Sequence, residues 1–145
     1  MNVLLDRDRF RETALKRDGY RCVLCGRQEG LSVHHIIERK LFVDGGYYIN
    51  NAATLCEQHH LEAEKTVLTV EAVRNAAKII GAIVPPQLDA SRRYDKWGNE
   101  VLPDGTRLKG PMFSDMFSDD GCQKALKAAG LLHLFSAAGY ASIKI

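Results

Sequence analysis

The sequence predicts a small α+β domain braced by a metal site, followed by a turn-rich and helical C-terminal appendage. Three observations indicate this class. Runs of β-branched and apolar residues at 31–37 and 51–55 predict two short strands. Apolar residues at helical spacing in 8–18 and 70–80 predict helices. Three of the four cysteines and four of the five histidines fall between residues 22 and 60, a clustering that is typical of metal ligands.

The composition restricts the class of protein further. The 145 residues fit one domain, or one small domain with an appendage. A net charge of +2 excludes a strongly basic, arm-like nucleic-acid binder but allows a nucleic-acid enzyme with a local basic groove. No apolar stretch is long enough for a signal peptide or a membrane span, so we expect a soluble, cytoplasmic protein without a membrane partner. In that compartment thiols stay reduced, which favours metal binding over disulfides.

The first predicted elements follow one another closely. In the helix over 8–18, Phe10 and Ala14 form the apolar face. A turn-rich stretch follows, and then the β-branched run at 31–37 predicts the first strand. The loop after it contains Gly45-Gly46 as a turn signal and leads into the second strand.

Two further helices come next. One is predicted to begin near Cys56 and to run through Glu64. Thr69 is a suitable N-cap for the other, which we expect over 70–80 with Gly81 as its terminator.

The character of the chain changes after these helices. All four prolines fall in 85–111, together with several turn signals, and this predicts an extended segment with one hairpin. A last helix is expected from Asp119 or Asp120 to Ala129. We expect Cys122, within that helix, and His133, in the apolar tail beyond it, to have no metal role.

The cysteines predict a structural zinc site. Cys22-x2-Cys25 and Cys56-x2-His59 are two half-sites about thirty residues apart, one on a turn and one on the first turn of a helix. Tetrahedral zinc favours such a Cys₃His set, and structural sites of this kind supply folding energy. The spacing from Cys56 to His60 is also permitted, so either histidine can close the site.

A second constellation carries the chemistry. His34 and His35 are adjacent on a predicted strand, so alternation sends them to opposite faces, where they serve different tasks. Asn51 follows, and then Leu55-Cys56-x-x-His59-His60. With Cys-x-x-Cys upstream, this order resembles the HNH endonuclease family, in particular the branch whose ββα-metal core is braced by a zinc knuckle. The resemblance covers about residues 9–65.

The resemblance implies a role for each matching residue. His35 matches the general base. Asn51 matches the asparagine of the motif, and the resemblance implies that this residue holds the loop and orients His35. His34 and His60 match the two ligands of the catalytic metal ion. His59 is then left for the zinc, at a place where many relatives carry cysteine. The implied nuclease domain with its zinc site spans residues 1–82, and residues 83–145 form an appendage for recognition or partner binding.

The implied activity is hydrolysis of DNA phosphodiester bonds. A neutral histidine accepts a proton from water near physiological pH, and a divalent ion held by two side chains keeps positions open for phosphate oxygens. Imidazole ligands favour softer ions than magnesium, whereas family habit favours magnesium, so we expect Mg²⁺ or Mn²⁺ in addition to the structural Zn²⁺.

The expected partner is nucleic acid, in the first place double-stranded DNA. Arg39 and Lys40 directly follow the catalytic strand and are candidates for phosphate contacts. Two alternatives remain open at this point, namely a non-catalytic zinc module that binds DNA or protein, and a nuclease directed at RNA. The presence of all four motif residues favours the enzyme, and no oligomeric state is predicted.

Overall fold

The computed structural model describes residues 3–113 and 140–141. Within this part of the chain the fold is a small α+β structure, as predicted. Its helices are α1 (Arg7–Arg17), α2 (Glu57–Glu64) and α3 (Val70–Ala76). Its strands are β1 (Ser32–His35), β2 (Ala52–Leu55), β3 (Glu100–Val101), β4 (Arg107–Leu108) and β5 (Tyr140–Ala141). The predicted last helix, Cys122 and His133 lie outside the described residues.

Helix α1 is fixed against the β1–β2 pair by its apolar face and by the residues at its C-terminal end. The Asp6 side chain caps the first turn by accepting a hydrogen bond from the Arg9 amide at 2.8 Å. Phe10 and Ala14 are buried, as the apolar spacing predicted. At the other end, Arg17 donates to the carbonyl oxygens of residues 49 and 52, and the Asp18 carboxylate accepts from the Thr54 amide. These bonds place Phe10 directly beneath the sheet.

The two central strands are antiparallel, and their register sets the two faces of the site. His34 pairs with Ala53 and His35 pairs with Ala52. Since residues directly opposite in such a pair share a face, His34 and Ala53 point to one side and His35 and Ala52 to the other. Ala52 belongs to the cluster around Phe10, whereas Ala53 belongs to the larger core that includes α2 and α3.

Helix α3 differs from the prediction in its length. Thr69 caps it as expected, because its hydroxyl accepts a hydrogen bond from the Ala72 amide at 3.0 Å. The helix ends at Ala76, and Lys78 adopts a left-handed backbone conformation with φ of 58°. Ile80, the last residue of the helix predicted over 70–80, is fully exposed. The apolar spacing of this segment therefore continues beyond the helix that forms.

The segment after α3 packs onto the same core. Trp97 and Met112 are buried within the larger hydrophobic cluster, and the Trp97 indole donates to the Glu64 carbonyl oxygen at 2.8 Å. Strands β3 and β4 form the expected hairpin, and β5 pairs with β4 in parallel. The division of the chain at residue 82 stays a prediction. Among residues 3–113 and 140–141, no helix has the length and apolar character needed to cross a membrane.

Candidate metal centres

Four side chains converge as the two half-sites predicted. The ligand atoms of Cys22, Cys25, Cys56 and His59 all lie within 4.8 Å of one another. The Sγ atoms of Cys25 and Cys56 are 3.8 Å apart, and His59 Nδ1 lies 3.5 Å from Cys22 Sγ and 3.3 Å from Cys56 Sγ. A tetrahedron with Zn–S bonds of about 2.3 Å and Zn–N bonds of about 2.0 Å has edges of about 3.5 to 3.8 Å. The donor set and its spacing therefore fit a zinc ion.

Local backbone structure brings the first cysteine pair into this position. The Cys22 amide donates to the Arg27 carbonyl and the Gly26 amide donates to the Cys22 carbonyl, both at 2.8 Å, which closes a tight turn. Gly26 has a φ of 77°, a conformation that glycine adopts without steric cost. The Val23 amide bonds to the Thr54 carbonyl oxygen, so the turn is attached to β2.

The second half-site lies at the start of α2. Cys56 is the N-cap of the helix and His59 lies on its first turn. The other ring nitrogen of His59, Nε2, is 3.9 Å from a carboxylate oxygen of Glu62 one turn further along. A carboxylate there would orient the ring and strengthen its donor nitrogen.

The environment of Cys22 favours the thiolate that metal binding requires. Burial opposes ionisation, but hydrogen bonds from the backbone at Cys56, Cys25 and Leu24 outweigh it and lower the pKa of the Cys22 thiol to about 6. At neutral pH this cysteine is therefore largely in the ligand form.

A second cluster lies on the α2 face of the sheet. It comprises His34 from β1 and His60 and Glu64 from α2, and their donor atoms also lie within 4.8 Å of one another. Glu64 Oε1 is 3.1 Å from His60 Nε2 and 3.4 Å from His34 Nδ1. Adjacent ligands of an octahedral ion with bonds of about 2.1 Å are about 3.0 Å apart, so the set fits a divalent cation. Three protein ligands leave positions open for water and substrate.

Ser32 orients one of these ligands. Its hydroxyl lies 2.5 Å from His60 Nδ1, on the same face of β1 as His34. With Nδ1 engaged in that contact, Nε2 is the ring nitrogen that faces Glu64, at 3.1 Å from its Oε1 atom. This is the arrangement of outer partners that holds imidazole ligands in metal sites.

The charges in the second cluster suit a cation. Burial lowers the pKa of His34 to about 3, so its ring is neutral at physiological pH. Its Nδ1 atom is buried without a hydrogen-bond partner among the described residues, because the approach to Glu64 is poorly aligned. Burial opposes ionisation of Glu64, but its contacts with His34 and His60 and the charge of Lys96 outweigh it and lower the pKa of the carboxyl. The site thus combines the neutral imidazole of His34 and the carboxylate of Glu64 with the imidazole of His60.

His59 and His60, the two histidines that the spacing allowed as the fourth zinc ligand, lie in different clusters. His59 lies with the three cysteines, and His60 lies with His34 and Glu64. The assignment of each histidine to its ion remains a prediction. Replacing His59 with alanine should remove one of the four zinc ligands, so we expect a lower zinc content and a lower melting temperature.

Replacing His60 with alanine should leave zinc content unchanged. Metal analysis and thermal unfolding of the two variants side by side provide the measurement. Equal zinc loss in both, or loss only in the His60→Ala protein, would contradict the assignment.

His35 lies on the opposite face from His34, as alternation predicted. Its ring stacks on Phe10 with centroids 4.6 Å apart and meets the edge of Tyr47 at 5.2 Å. Burial lowers the pKa of His35 to about 4, and the cation of Lys96 acts in the same direction. The ring is therefore neutral at physiological pH.

Asn51 is fully buried and holds the loop that connects the two strands. Its Oδ1 accepts from the Ile37 amide at 2.9 Å, and its Nδ2 donates to the carbonyl oxygens of Ile37 and Gly46. It acts on the backbone just beyond His35. The neighbouring Asn50 instead donates from its side chain to the Gly81 carbonyl oxygen at the surface.

The basic residues after β1 lie in a short 3-10 turn, Arg39–Leu41. Arg39 and Lys40 are exposed, and the Arg39 guanidinium donates to the Tyr47 hydroxyl at 3.2 Å. Their contact with nucleic acid stays a prediction.

Two residues near the second cluster were not predicted from the sequence. Glu64 follows His60 by four residues on the same helix, a spacing that places both side chains on one face and was available as a signal. Lys96 lies far along the chain, and nothing in its local sequence indicates a position beside Glu64.

Comparison with protein families identifies the same segment. Residues 22–66 match the family model of HNH endonucleases. This segment contains every ligand of both clusters as well as His35 and Asn51. The match confirms the resemblance over these residues and indicates a nuclease or nucleic-acid-related function. Comparisons with curated proteins and with solved structures gave no significant match.

Proposed function

We propose that this chain is a metal-dependent endonuclease that hydrolyses DNA phosphodiester bonds, with His35 as the general base. The observation that supports this best is the convergence of His34, His60 and Glu64 into a set that can bind a cation, beside β1, the strand that also carries a neutral His35. Both features lie within the residues that match the HNH endonuclease family.

In the proposed reaction the metal ion and the general base lie on opposite faces of β1. On one face His34, His60 and Glu64 hold the divalent ion, which we propose to be Mg²⁺ or Mn²⁺. When bound, such an ion neutralises charge on the phosphate and on the leaving 3′ oxygen. On the other face a neutral nitrogen of His35 accepts the proton of the attacking water. The products implied by the family are a 5′-phosphate and a 3′-hydroxyl.

The remaining site residues have supporting roles in this proposal. Asn51 holds the backbone beyond His35, and the Cys₃His set binds a structural Zn²⁺ that joins the first turn, β2 and α2. Arg39 and Lys40, which lie in the 3-10 turn after β1, neutralise phosphates of the bound strand. Their exposure leaves them accessible to a double-stranded substrate.

Glu64 provides a prediction that tests the catalytic ion. Changing Glu64 to glutamine keeps the shape of the side chain but removes the only anionic ligand of the described cluster. We expect the Mn²⁺ concentration needed for half-maximal cleavage to rise at least about 10-fold, since even outer partners of a metal site contribute 10- to 100-fold. A Mn²⁺ titration of cleavage measures this, with Glu57→Gln, at the start of the same helix, as the control. An unchanged Mn²⁺ requirement would exclude Glu64 as a ligand.

The activity itself is tested with the zinc-loaded protein on double-stranded, single-stranded, nicked and branched DNA and on RNA. Each substrate is incubated with Mg²⁺, with Mn²⁺ and with neither. The proposal expects cleavage of DNA that depends on the added ion. Cleavage of RNA alone would redirect the proposal to an RNA nuclease, and binding without cleavage of any substrate would favour the non-catalytic zinc module.

A further inference from the structure

Lys96 lies beyond the residues that match the HNH endonuclease family, yet its side chain reaches the centre of the proposed active site. It comes from the turn before β3 and is 4% exposed. Its ammonium donates to the His35 carbonyl oxygen at 3.0 Å. It also lies 3.4 Å from Glu38 Oε2 and 3.8 Å from Glu64 Oε1. The ammonium thus makes one hydrogen bond and two ion pairs with oxygen atoms.

One of these contacts acts on the peptide group that follows His35. The carbonyl of His35 and the amide of Ile36 belong to one planar unit. Lys96 binds its oxygen, and the Ile36 amide donates to the Asn51 carbonyl oxygen at 2.9 Å. The plane is therefore held from both ends, and this fixes the backbone that carries the His35 ring.

A second contact acts on the proposed metal ligand. Glu64 Oε1 faces His34 and His60 on one side and the Lys96 ammonium on the other. The neighbouring residue Trp97 anchors the same helix turn by donating to the Glu64 carbonyl oxygen. The backbone of Lys96 is also fixed, because its carbonyl oxygen accepts a hydrogen bond from the Glu38 amide at 2.9 Å.

We propose that Lys96 is a positioning residue for the proposed nuclease reaction, joining the backbone of His35 to the carboxylate of Glu64 through one buried ammonium. This inference rests on the proposed function. It extends the catalytic unit beyond the residues that match the family, to the turn before β3.

The test compares Lys96→Met, which removes the charge, with Lys96→Arg, which retains it. We expect kcat of DNA cleavage to fall about 10- to 100-fold in the methionine variant, as for other outer partners of metal sites, with KM for DNA changed less than about twofold. Arginine should restore part of kcat. Lys16→Met, an exposed lysine of α1 with the same change of charge, is the matched control and should cleave like the parent.

Loss of the ammonium leaves Glu38 unpaired, and a buried unpaired charge can unfold a small domain. The double variant Lys96→Met/Glu38→Gln removes that charge and keeps the inference testable. It should recover the parental melting temperature without recovering kcat. Parental kcat in this double variant would overturn the positioning role.

Hydrogen exchange separates this inference from the proposed function. The Ile36 amide should exchange faster in the double variant than in the parent, while the Val73 amide within α3 should keep its rate. If the parent cleaves nothing, the nuclease proposal fails, and the Ile36 exchange rate alone decides whether Lys96 fixes this peptide group. An unchanged rate would refute it.

Discussion

Replacing His35 with alanine lowers the rate of DNA cleavage by about 10²- to 10⁴-fold, the range expected when a general base is removed. The reason is local. His35 carries a neutral imidazole at physiological pH because burial lowers its pKa to about 4, and no other neutral histidine is described on its face of β1. Both metal sets lie elsewhere, one at the turn near Cys22 and one around Glu64. Zinc content and Mn²⁺ affinity should therefore stay at parental values.

The control for His35→Ala is a variant that disturbs the same face but keeps the nitrogen. Phe10→Leu removes the ring that stacks on His35 and should lower the melting temperature while reducing cleavage far less. Single-turnover kinetics, metal analysis and thermal unfolding give the three readouts. Should the alanine variant cleave plasmid DNA at the parental rate, His35 is not the base.

The sequence predicted the parts of the site that depend on local spacing. Cys22 and Cys25 share a turn, and Cys56 and His59 share the first turn of a helix, so each pair converges whatever the rest of the chain does. His34 and His35 take opposite faces because a strand alternates. The α+β fold follows from the same short-range patterns, and the structure confirms it.

The parts that depend on distant packing were not predicted. Lys96 contacts His35 and Glu64 across more than thirty residues of chain, and its own surroundings predicted only an extended segment with turn signals. Trp97 lies in the same extended, turn-rich segment and is likewise buried beneath α2. The length of α3 was overestimated because Ile80 continues the apolar spacing after the helix has ended at Ala76. Periodicity shows which residues can share a face, and tertiary contacts decide which of them do.

Replacing Cys22 with serine releases zinc and unfolds the core. Cys22 is 1% exposed and belongs both to the Cys₃His set and to the larger hydrophobic cluster. A hydroxyl does not ionise at neutral pH and is a poor zinc ligand. Structural zinc supplies about 10–16 kcal/mol of apparent binding energy in small domains, whereas the net stability of a folded domain is about 5–15 kcal/mol. The loss of zinc binding is therefore comparable to the whole stability.

The effect should reach the second cluster, because Cys56 and His59 lie on the same helix as His60 and Glu64. Circular dichroism of the Cys22→Ser protein should show loss of cooperative unfolding, and metal analysis should show less than one zinc per chain. Cys122→Ser is the matched control, since the sequence gives that cysteine no metal role, and it should keep both zinc and fold. A Cys22→Ser protein that stays folded with one bound zinc would falsify the structural role, and the ordering of α2 would then have to come from hydrophobic packing alone.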